Sequence, residues 1–134
     1  MTLVDSNVLL DVLSGDPRWL AWSVDALDAR AAAGRLLINE VVYAELSVRM
    51  NSEAELDKAV IRLNVHFERS PQRALFLAGQ SFRRYRTAGG TRTGVLSDLF
   101  IGAHAQVLGC PVLTRDVRRY RTYFPDVEII APAR

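Results

Sequence analysis

The sequence of 134 residues lacks the features that would tie it to a membrane or to an oxidising compartment. Cys110 is the only cysteine, so an intrachain disulfide is excluded and a reducing cytoplasm fits best. No apolar run approaches the roughly 20 residues of a membrane-spanning helix, and no basic segment followed by such a run opens the chain. We therefore predict a cytoplasmic protein without a membrane segment.

Lysine is almost absent: Lys58 is the only one, and the other 16 of the 17 basic residues are arginine. The formal net charge is only +2. Guanidinium groups match phosphate oxygens in shape and charge, so an arginine-rich surface fits a polyanionic partner better than the net charge suggests. A bias in genome composition explains the arginine content equally well.

The overall composition is that of a globular protein, with 49% hydrophobic and 24% charged residues. The length suits one core, and the chain contains no internal repeat or low-complexity tract. We therefore predict a single domain over residues 1–134.

Short apolar runs without polar alternation are separated by segments with helical periodicity. The runs predict buried strands, which lie at residues 2–4, 36–38, 111–114 and 127–130, with 65–67 as an ambiguous link. Helix starts are indicated by polar residues that can cap, at Asp16-Pro17, Asn39, Ser52 with Glu55, Ser70-Pro71 and Ser97-Asp98. This order is typical of a parallel sheet covered on both faces, so the predicted fold class is three-layer α/β.

Acidic residues occur at positions where such a fold builds ligand sites. Asp5 and Asp116 are each the first acidic residue after a predicted strand, and ligands of open α/β sheets bind at the carboxyl ends of strands. Glu45 lies in a helix with apolar neighbours, where an unpaired carboxylate would be costly. Asp98 opens a later helix. Taken singly, Asp5, Asp98 or Asp116 can equally serve as a helix cap.

Convergence of these four carboxylates would require a cation. Two carboxylates about 6 Å apart repel by roughly 3 kcal/mol at an effective dielectric near 20. Oxygen ligands without histidine or thiolate select Mg²⁺, with Mn²⁺ close behind. Such an ion suits phosphodiester hydrolysis, because it lowers the pKa of a bound water and neutralises phosphoryl charge. Whether one or two ions act, and which group accepts the water's proton, stays open.

The ordered set of motifs resembles PIN-domain nucleases, and within them the VapC toxin subfamily. It consists of Asp5-Ser6-Asn7-Val8-Leu9, Glu45 on the third helix, Ser97-Asp98 before Ala103, and Thr114-Arg115-Asp116. The resemblance spans nearly the whole chain. It implies a PIN-like fold with a short central parallel sheet, and Mg²⁺- or Mn²⁺-dependent cleavage of RNA such as tRNA or rRNA. It further implies a toxin that inhibits translation, frequent homodimers and neutralisation by a cognate VapB-type antitoxin.

The resemblance also implies roles for individual residues. Asp5, Glu45, Asp98 and Asp116 match the family's catalytic and metal-binding positions, and Asn7 and Thr114 match polar positions that orient them.

A path for RNA is predicted from arginines near the acidic positions: Arg92, Arg115, Arg118 and Arg119, with Arg83, Arg84, Arg86 and Arg121 as further candidates. Tyr85 and Tyr120 can stack on bases. The alternative is a solvated helix face whose arginines form surface ion pairs. We interpret His104 as structural, and Trp19 and Trp22 as packing in the core or in a dimer contact.

Two other functions remain open at this level. The first is an aspartate-based phosphatase, which also carries an aspartate after the first strand. This function predicts an Asp-x-Asp pair, but Asn7 occupies the position of the second aspartate. A nuclease fold without activity that serves as a protein-binding module is the non-enzymatic alternative.

Overall fold

A computed structural model describes residues 1–133, which form one parallel sheet flanked by helices. Five strands are present among these residues: β1 (Thr2–Val4), β2 (Leu36–Ile38), β3 (Val65–Phe67), β4 (Val112–Leu113) and β5 (Ile129–Ile130). Seven helices flank them: α1 (Ser6–Ser14), α2 (Leu20–Ala33), α3 (Glu40–Ser47), α4 (Glu53–Arg62), α5 (Gln72–Thr87), α6 (Val95–Leu108) and α7 (Arg118–Tyr123). The predicted three-layer α/β fold class is confirmed.

The strand order is β3-β2-β1-β4-β5, with β1 at the centre. In register, Leu3 pairs with Leu37 of β2 on one side and with Val112 of β4 on the other. The chain winds from β1 towards β3 and then crosses to β4 and β5, so the direction of winding reverses between β1 and β4. Ligand sites of such sheets lie at this reversal.

The central strands are buried on both faces, which explains their lack of polar alternation. Leu3, Val4, Ile38, Val112 and Leu113 have no more than trace exposure and form the middle of the core. At 0% exposure, His104 lies in the same interior, and its Nδ1 is 3.3 Å from both Asn39 Nδ2 and Ser70 Oγ. The structural interpretation of His104 agrees with this burial.

Several helix boundaries follow from the caps that the sequence offers. The side chain of Asn39 accepts hydrogen bonds from the amides of Val41 and Val42, both at 3.1 Å. Ser52 accepts from the amide of Glu55 at 3.1 Å, but the Glu55 carboxylate accepts from Asn51 instead of Ser52. The capping box is therefore shifted by one residue.

Other boundaries differ from the prediction. Ser70 does not cap α5, because its hydroxyl donates to the Glu40 carboxylate and its amide donates to the same group. Pro71 is the N-cap residue instead. Helix α6 begins at Val95, two residues before the predicted start, which places Asp98 in its first turn. The ambiguous link at 65–67 is the edge strand β3.

Helix α7 was not predicted from the sequence. Tyr120 and Phe124 are buried, and Val127, just beyond the helix, is also buried. These three apolar residues are spaced by four and then three positions, which is the spacing that indicates a helix in the sequence. None of the helices within residues 1–133 combines the length and the apolar character that crossing a membrane requires.

Candidate active site at the carboxyl ends of the strands

Asp5 follows β1 directly and is buried, with 4% exposure. Its Oδ2 accepts hydrogen bonds from Tyr120 Oη at 2.8 Å, Thr114 Oγ1 at 2.9 Å and Asn7 Nδ2 at 3.5 Å. Asp5 is the N-cap residue of α1, yet its side chain forms no capping hydrogen bond. Burial raises the pKa of Asp5, while the hydroxyl donors oppose the rise. The helix-cap alternative therefore does not explain this carboxylate.

Asn7 and Thr114 connect the ends of β1 and β4. Asn7 Nδ2 donates to Thr114 Oγ1 at 3.2 Å, and Asn7 Oδ1 accepts from the amide of Arg115 at 3.2 Å. Thr114 is fully buried, and its hydroxyl contacts Asp5. Both polar residues therefore lie beside the carboxylate that they were predicted to orient.

Glu45 approaches the same end of the sheet from α3. Its Oε1 accepts a hydrogen bond from Ser6 Oγ at 3.0 Å, which joins α3 to the first turn of α1. Partial burial is the main cause of the raised pKa of Glu45, and the negative charge of Asp5 adds to it. The charge of Asp5 thus acts on Glu45, which places the two carboxylates in one electrostatic environment.

Asp98 lies in the first turn of α6 and is the most strongly perturbed of the four acids. Burial, followed by the negative charges of Asp5, Asp116 and Glu45, raises the pKa of Asp98 to about 7, and Arg119 opposes the rise. All three other carboxylates therefore act on Asp98. The fold brings the four acidic residues to one end of the sheet.

Asp116 marks the solvent-exposed rim of this acidic cluster, which we define as Asp5, Glu45, Asp98 and Asp116. Its side chain is 49% exposed and forms an ion pair of 3.2 Å with Arg118. The hydrogen bond from Arg118 lowers the pKa of Asp116, so this carboxyl group is ionised at neutral pH.

The donor set of the acidic cluster fits a hard divalent cation. Within residues 1–133, Asp5, Glu45 and Asp98 form no ion pair with an arginine, lysine or histidine. Burial of like charges without a protein cation is costly, and a bound metal would offset that cost. In the same range, no group of three or more acidic, histidine or cysteine side chains is close enough together to hold a metal ion.

The predicted RNA-binding arginines have different environments. Arg119 is half-buried, its guanidinium carbon lies 5.7 Å from the centre of the Tyr85 ring, and its charge acts on Asp98 and Asp116. Its Nε is buried and has no hydrogen-bond partner within residues 1–133. Arg118 pairs with Asp116, and Arg92 is exposed in the loop before α6.

Arg115 is held away from solvent phosphate by a protein carboxylate. Its Nε and Nη2 donate to the two carboxylate oxygens of Asp11 at 2.6 and 3.0 Å, and Asp11 is buried. This pair connects the β4 end to α1, so the structure gives Arg115 a structural partner that the sequence did not indicate.

Two residues beside the acidic cluster were missed by sequence reasoning. The prediction that Tyr120 stacks on bases is wrong, because Tyr120 is 1% exposed and donates to Asp5. Ser6 was not considered, although it contacts Glu45. The helical spacing of Tyr120 and Phe124 was the available signal for burial of Tyr120, whereas nothing in the sequence indicates the partner of Ser6.

Two surface cavities adjoin the acidic cluster. The first, about 360 Å³ in volume, is largely apolar and reaches Glu45; Val41, Leu96 and Phe100 are among its lining residues. The second, about 780 Å³, reaches Asp116 and contains several arginines. The acidic cluster is therefore open to the surface at Glu45 and at Asp116.

Comparison with known proteins identifies a matching family. A family model described as PIN domain matches residues 2–125. A search of curated proteins gives no match.

Several solved structures have a similar fold over nearly their full length. One is a chain of VapBC2 from Rickettsia felis bound to a promoter DNA fragment, with a TM-score of 0.75, 14% identity and 98% of each chain covered. A toxin–antitoxin complex from Klebsiella pneumoniae gives a TM-score of 0.71 and 19% identity, covering 99% of this chain and 98% of the other. FitAcB from Neisseria gonorrhoeae gives 0.67 and 18% identity, with 98% of each chain covered. At these identities the similarity concerns the fold.

Proposed function

This chain belongs to the PIN-domain family, and we propose that it is an endoribonuclease that hydrolyses RNA phosphodiester bonds with Mg²⁺ or Mn²⁺. The observation that carries this proposal is the environment of Asp98. Its carboxyl group is perturbed by three other carboxylates at the carboxyl ends of the strands, which is the cost that a divalent cation removes.

We propose the following roles for the residues on the basis of their positions. Asp5, Glu45, Asp98 and Asp116 hold the cation, and Asn7 and Thr114 orient Asp5 through their hydrogen bonds. A bound ion supplies a more acidic water and neutralises negative charge on the phosphoryl group. Tyr120 favours the ionised form of Asp5 by donating to it, and the positive charge of Arg119, which acts on Asp98 and Asp116, attracts a phosphate to the acidic cluster.

We further propose that the enzyme is the toxin of a VapBC-type toxin–antitoxin pair. Solved structures with a similar fold include chains of VapBC and FitAB complexes, which supports a cognate antitoxin as partner. Cleavage of tRNA or rRNA in the cytoplasm would inhibit translation. A homodimer is part of this proposal, by analogy with the family.

The test of the nuclease is cleavage of total cellular RNA by the purified chain with Mg²⁺, with Mn²⁺ and with chelator. The comparison includes Asp5→Asn, Asp98→Asn and, as a matched control, Asp28→Asn on an exposed position of α2. Changes to residues that support metal ligands reduce activity roughly 10- to 100-fold. We expect the cleavage activity of both site variants to fall by more than this, and that of the control to stay at the native level. Equal cleavage by all four proteins would reveal a contaminant and contradict the proposal.

A thermal melt distinguishes the nuclease from a protein-binding module. Ligands that bind only the native state stabilise it, so millimolar Mg²⁺ or Mn²⁺ should raise the melting temperature of the native chain and of Asp28→Asn, but not that of Asp5→Asn. Absence of any shift would favour the binding module. Trapping of a phosphoryl group on Asp5 from a small phosphoester would favour the phosphatase instead.

Induced expression in a bacterial host tests the toxin. We expect growth arrest with loss of protein synthesis, no arrest with Asp98→Asn, and rescue by the adjacent antitoxin gene where one is present. Arrest that persists with Asp98→Asn would contradict toxicity by cleavage. Light scattering of the purified chain measures the homodimer separately.

A further inference from the structure

A cationic groove lies beside the acidic cluster, along the β5 edge of the sheet. It has a volume of about 780 Å³, and the residues relevant here are Arg18, Trp19, Arg115, Asp116, Arg118 and Arg121. We propose that this arginine groove binds the single-stranded RNA segment next to the cleaved bond, with phosphates on Arg18 and Arg121 and one base on Trp19. The proposal deepens the proposed function and rests on it.

The charge of the groove is positive and only partly compensated. Arg115 and Arg118 are each paired with a carboxylate, Asp11 and Asp116 respectively. Within residues 1–133, the guanidinium groups of Arg18 and Arg121 form no hydrogen bond or ion pair with a protein group, and both residues are exposed. Two uncompensated guanidinium groups in one groove are suited to the phosphates of a nucleic acid backbone.

Trp19 supplies an aromatic surface that is held in place before any ligand binds. The guanidinium carbons of Arg18 and Arg115 each lie 5.0 Å from the centre of its ring. Its amide donates to Asp16 Oδ1 at 2.9 Å, and its ring contacts Trp22 edge to face at 6.4 Å. Because Arg18 is exposed, its guanidinium group can turn from the ring to a phosphate, which frees a face of the half-buried Trp19 for a base.

Trp19 was predicted to pack in the core or in a dimer contact, and in the structure it is only half-buried and lies outside the core. It lies in the turn that precedes α2, which begins at Leu20. Arg115, one of the arginines beside it, is fixed by the buried carboxylate of Asp11. The Asp11–Arg115–Trp19 contacts therefore form a rigid wall of the groove.

The groove is continuous with the acidic cluster. Asp116 lines the groove, and the charge of Asp116 also acts on Asp98. A strand bound in the groove is therefore directed towards the carboxylates. The volume lies within the range of about 300–1,000 Å³ that is typical of small-molecule ligand pockets.

The chemistry favours RNA over an acidic protein segment. Carboxylates of a protein would satisfy Arg18 and Arg121, but they would offer no flat ring to replace the Arg18 guanidinium over the indole of Trp19. A single strand provides both phosphates and accessible bases. Binding of an acidic peptide is therefore an outcome that the experiment must separate from binding of RNA.

Fluorescence of Trp19 provides a direct measurement of binding. Trp19 and Trp22 are the only tryptophans, so Trp22→Phe leaves Trp19 as the single reporter. In this background, and in chelator to prevent cleavage, the protein is titrated with a mixed-sequence single-stranded RNA of about 10 nucleotides. We expect saturable quenching. A parallel titration with poly-glutamate tests the protein alternative.

Variants then assign the binding to the groove. We expect Arg18→Gln and Arg121→Gln each to weaken binding by about tenfold and to reduce the salt dependence by about one counterion. The matched control is Arg62→Gln, which lies on α4 and therefore at the β3 edge of the sheet, and it should bind normally. Trp19→Leu, followed by anisotropy of labelled RNA, should lose affinity that Trp19→Phe partly restores. Unchanged melting temperatures exclude misfolding.

The outcomes separate the two proposals. The Arg18, Arg121 and Trp19 variants could bind RNA normally while cleavage still depends on Asp98. This result would contradict RNA binding in the groove and would support the proposed nuclease activity. Quenching by poly-glutamate but not by RNA would also overturn it. Loss of RNA binding in these variants, together with metal-dependent cleavage by the native chain, supports both. Absence of cleavage by the native chain would contradict the proposed function, and the groove would then have no role in RNA cleavage.

Discussion

The hydroxyl of Tyr120 donates a hydrogen bond of 2.8 Å to Oδ2 of Asp5, and both side chains are buried. The bond joins α7 to the end of β1 across 115 positions of the sequence. Burial alone would favour the neutral form of Asp5, and a donor aimed at the carboxylate opposes that effect. Tyr120 is therefore a positioning residue that favours the ionised form of Asp5.

Tyr120→Phe should move the acid limb of the cleavage profile to higher pH. The substitution removes one donor from Asp5, so the pKa of Asp5 rises further and a larger share of the protein is protonated at a given pH. The loss of a buried hydrogen bond should also reduce the free energy of unfolding by about 1 kcal/mol. The measurement is the cleavage rate against pH at saturating Mg²⁺.

Tyr43→Phe is the matched control for that measurement. The Tyr43 hydroxyl donates to the exposed carboxylate of Asp57 at 2.9 Å, away from the acidic cluster. Its profile should coincide with that of the native chain. Coincidence of the Tyr120→Phe profile as well would show that the hydroxyl has no influence on Asp5.

Asp98→Asn should stabilise the metal-free fold at alkaline pH. The pKa of Asp98 is raised from 3.8 to about 7, so the folded state binds this proton more tightly than the unfolded state does. Stability from this group is present at low pH, is lost as the pH rises from about 4 to 7, and stays absent above. The variant should therefore exceed the native chain by at least about 1 kcal/mol near pH 8 in chelator.

Urea unfolding at several pH values measures this difference. We expect the advantage of Asp98→Asn to shrink near pH 4 and to disappear or reverse when Mg²⁺ is added, because the ion stabilises only the native sequence. Asp28→Asn should follow the native curve at every pH. An advantage that is constant with pH would show that ionisation of Asp98 is not its cause.

Arg115→Gln should destabilise the fold far more than Arg118→Gln does. Asp11 is buried, accepts from Arg115 and from Ser23 Oγ at 2.8 Å, and would be left without its cation. Removal of one partner of a buried ion pair costs about 3 kcal/mol. Arg118 pairs with Asp116 in solvent, so its replacement should leave the free energy of unfolding nearly unchanged. Similar denaturation midpoints for the two variants would contradict this distinction.

Substitution of two helical glycines by alanine should have opposite effects. A Cβ at Gly102 in α6 would lie 2.3 Å from Cδ2 of Phe124, whose ring is buried, so Gly102→Ala should cost about 1–3 kcal/mol. Gly79 in α5 has no atom within 4 Å of the same position, so Gly79→Ala should stabilise by about 0.5–1 kcal/mol. Calorimetry of both variants measures the signs. Stabilisation by Gly102→Ala would show that the Phe124 ring moves away easily.

Much of the fold could be predicted because the responsible signals are local. The apolar runs at 2–4 and 36–38 do not alternate, since both faces of the sheet are covered, and they became β1 and β2. Asn39 caps α3 through its own neighbours. Helix α7 was missed because its buried positions are few and its remaining residues are polar, so its helical period was weak over six residues.

The candidate site could be predicted to the level of its acidic residues. Asp5 and Asp116 follow strands, and the parallel topology brings the ends of β1 and β4 to one edge whatever the side chains are. Glu45 and Asp98 were found as acids in helices that the resemblance matched. The structure then showed that all three other carboxylates act on Asp98.

The sequence by itself determined the strands, most helix starts and the set of acidic residues, because these depend on neighbours within a few positions. Only the tertiary structure decided which partners meet: Tyr120 with Asp5, Arg115 with Asp11 and Trp19, and Ser70 with Glu40. Each contact depends on the packing of side chains from elements distant in sequence. A side chain's own type and spacing do not specify its partner, because many groups could satisfy the same hydrogen bond or charge.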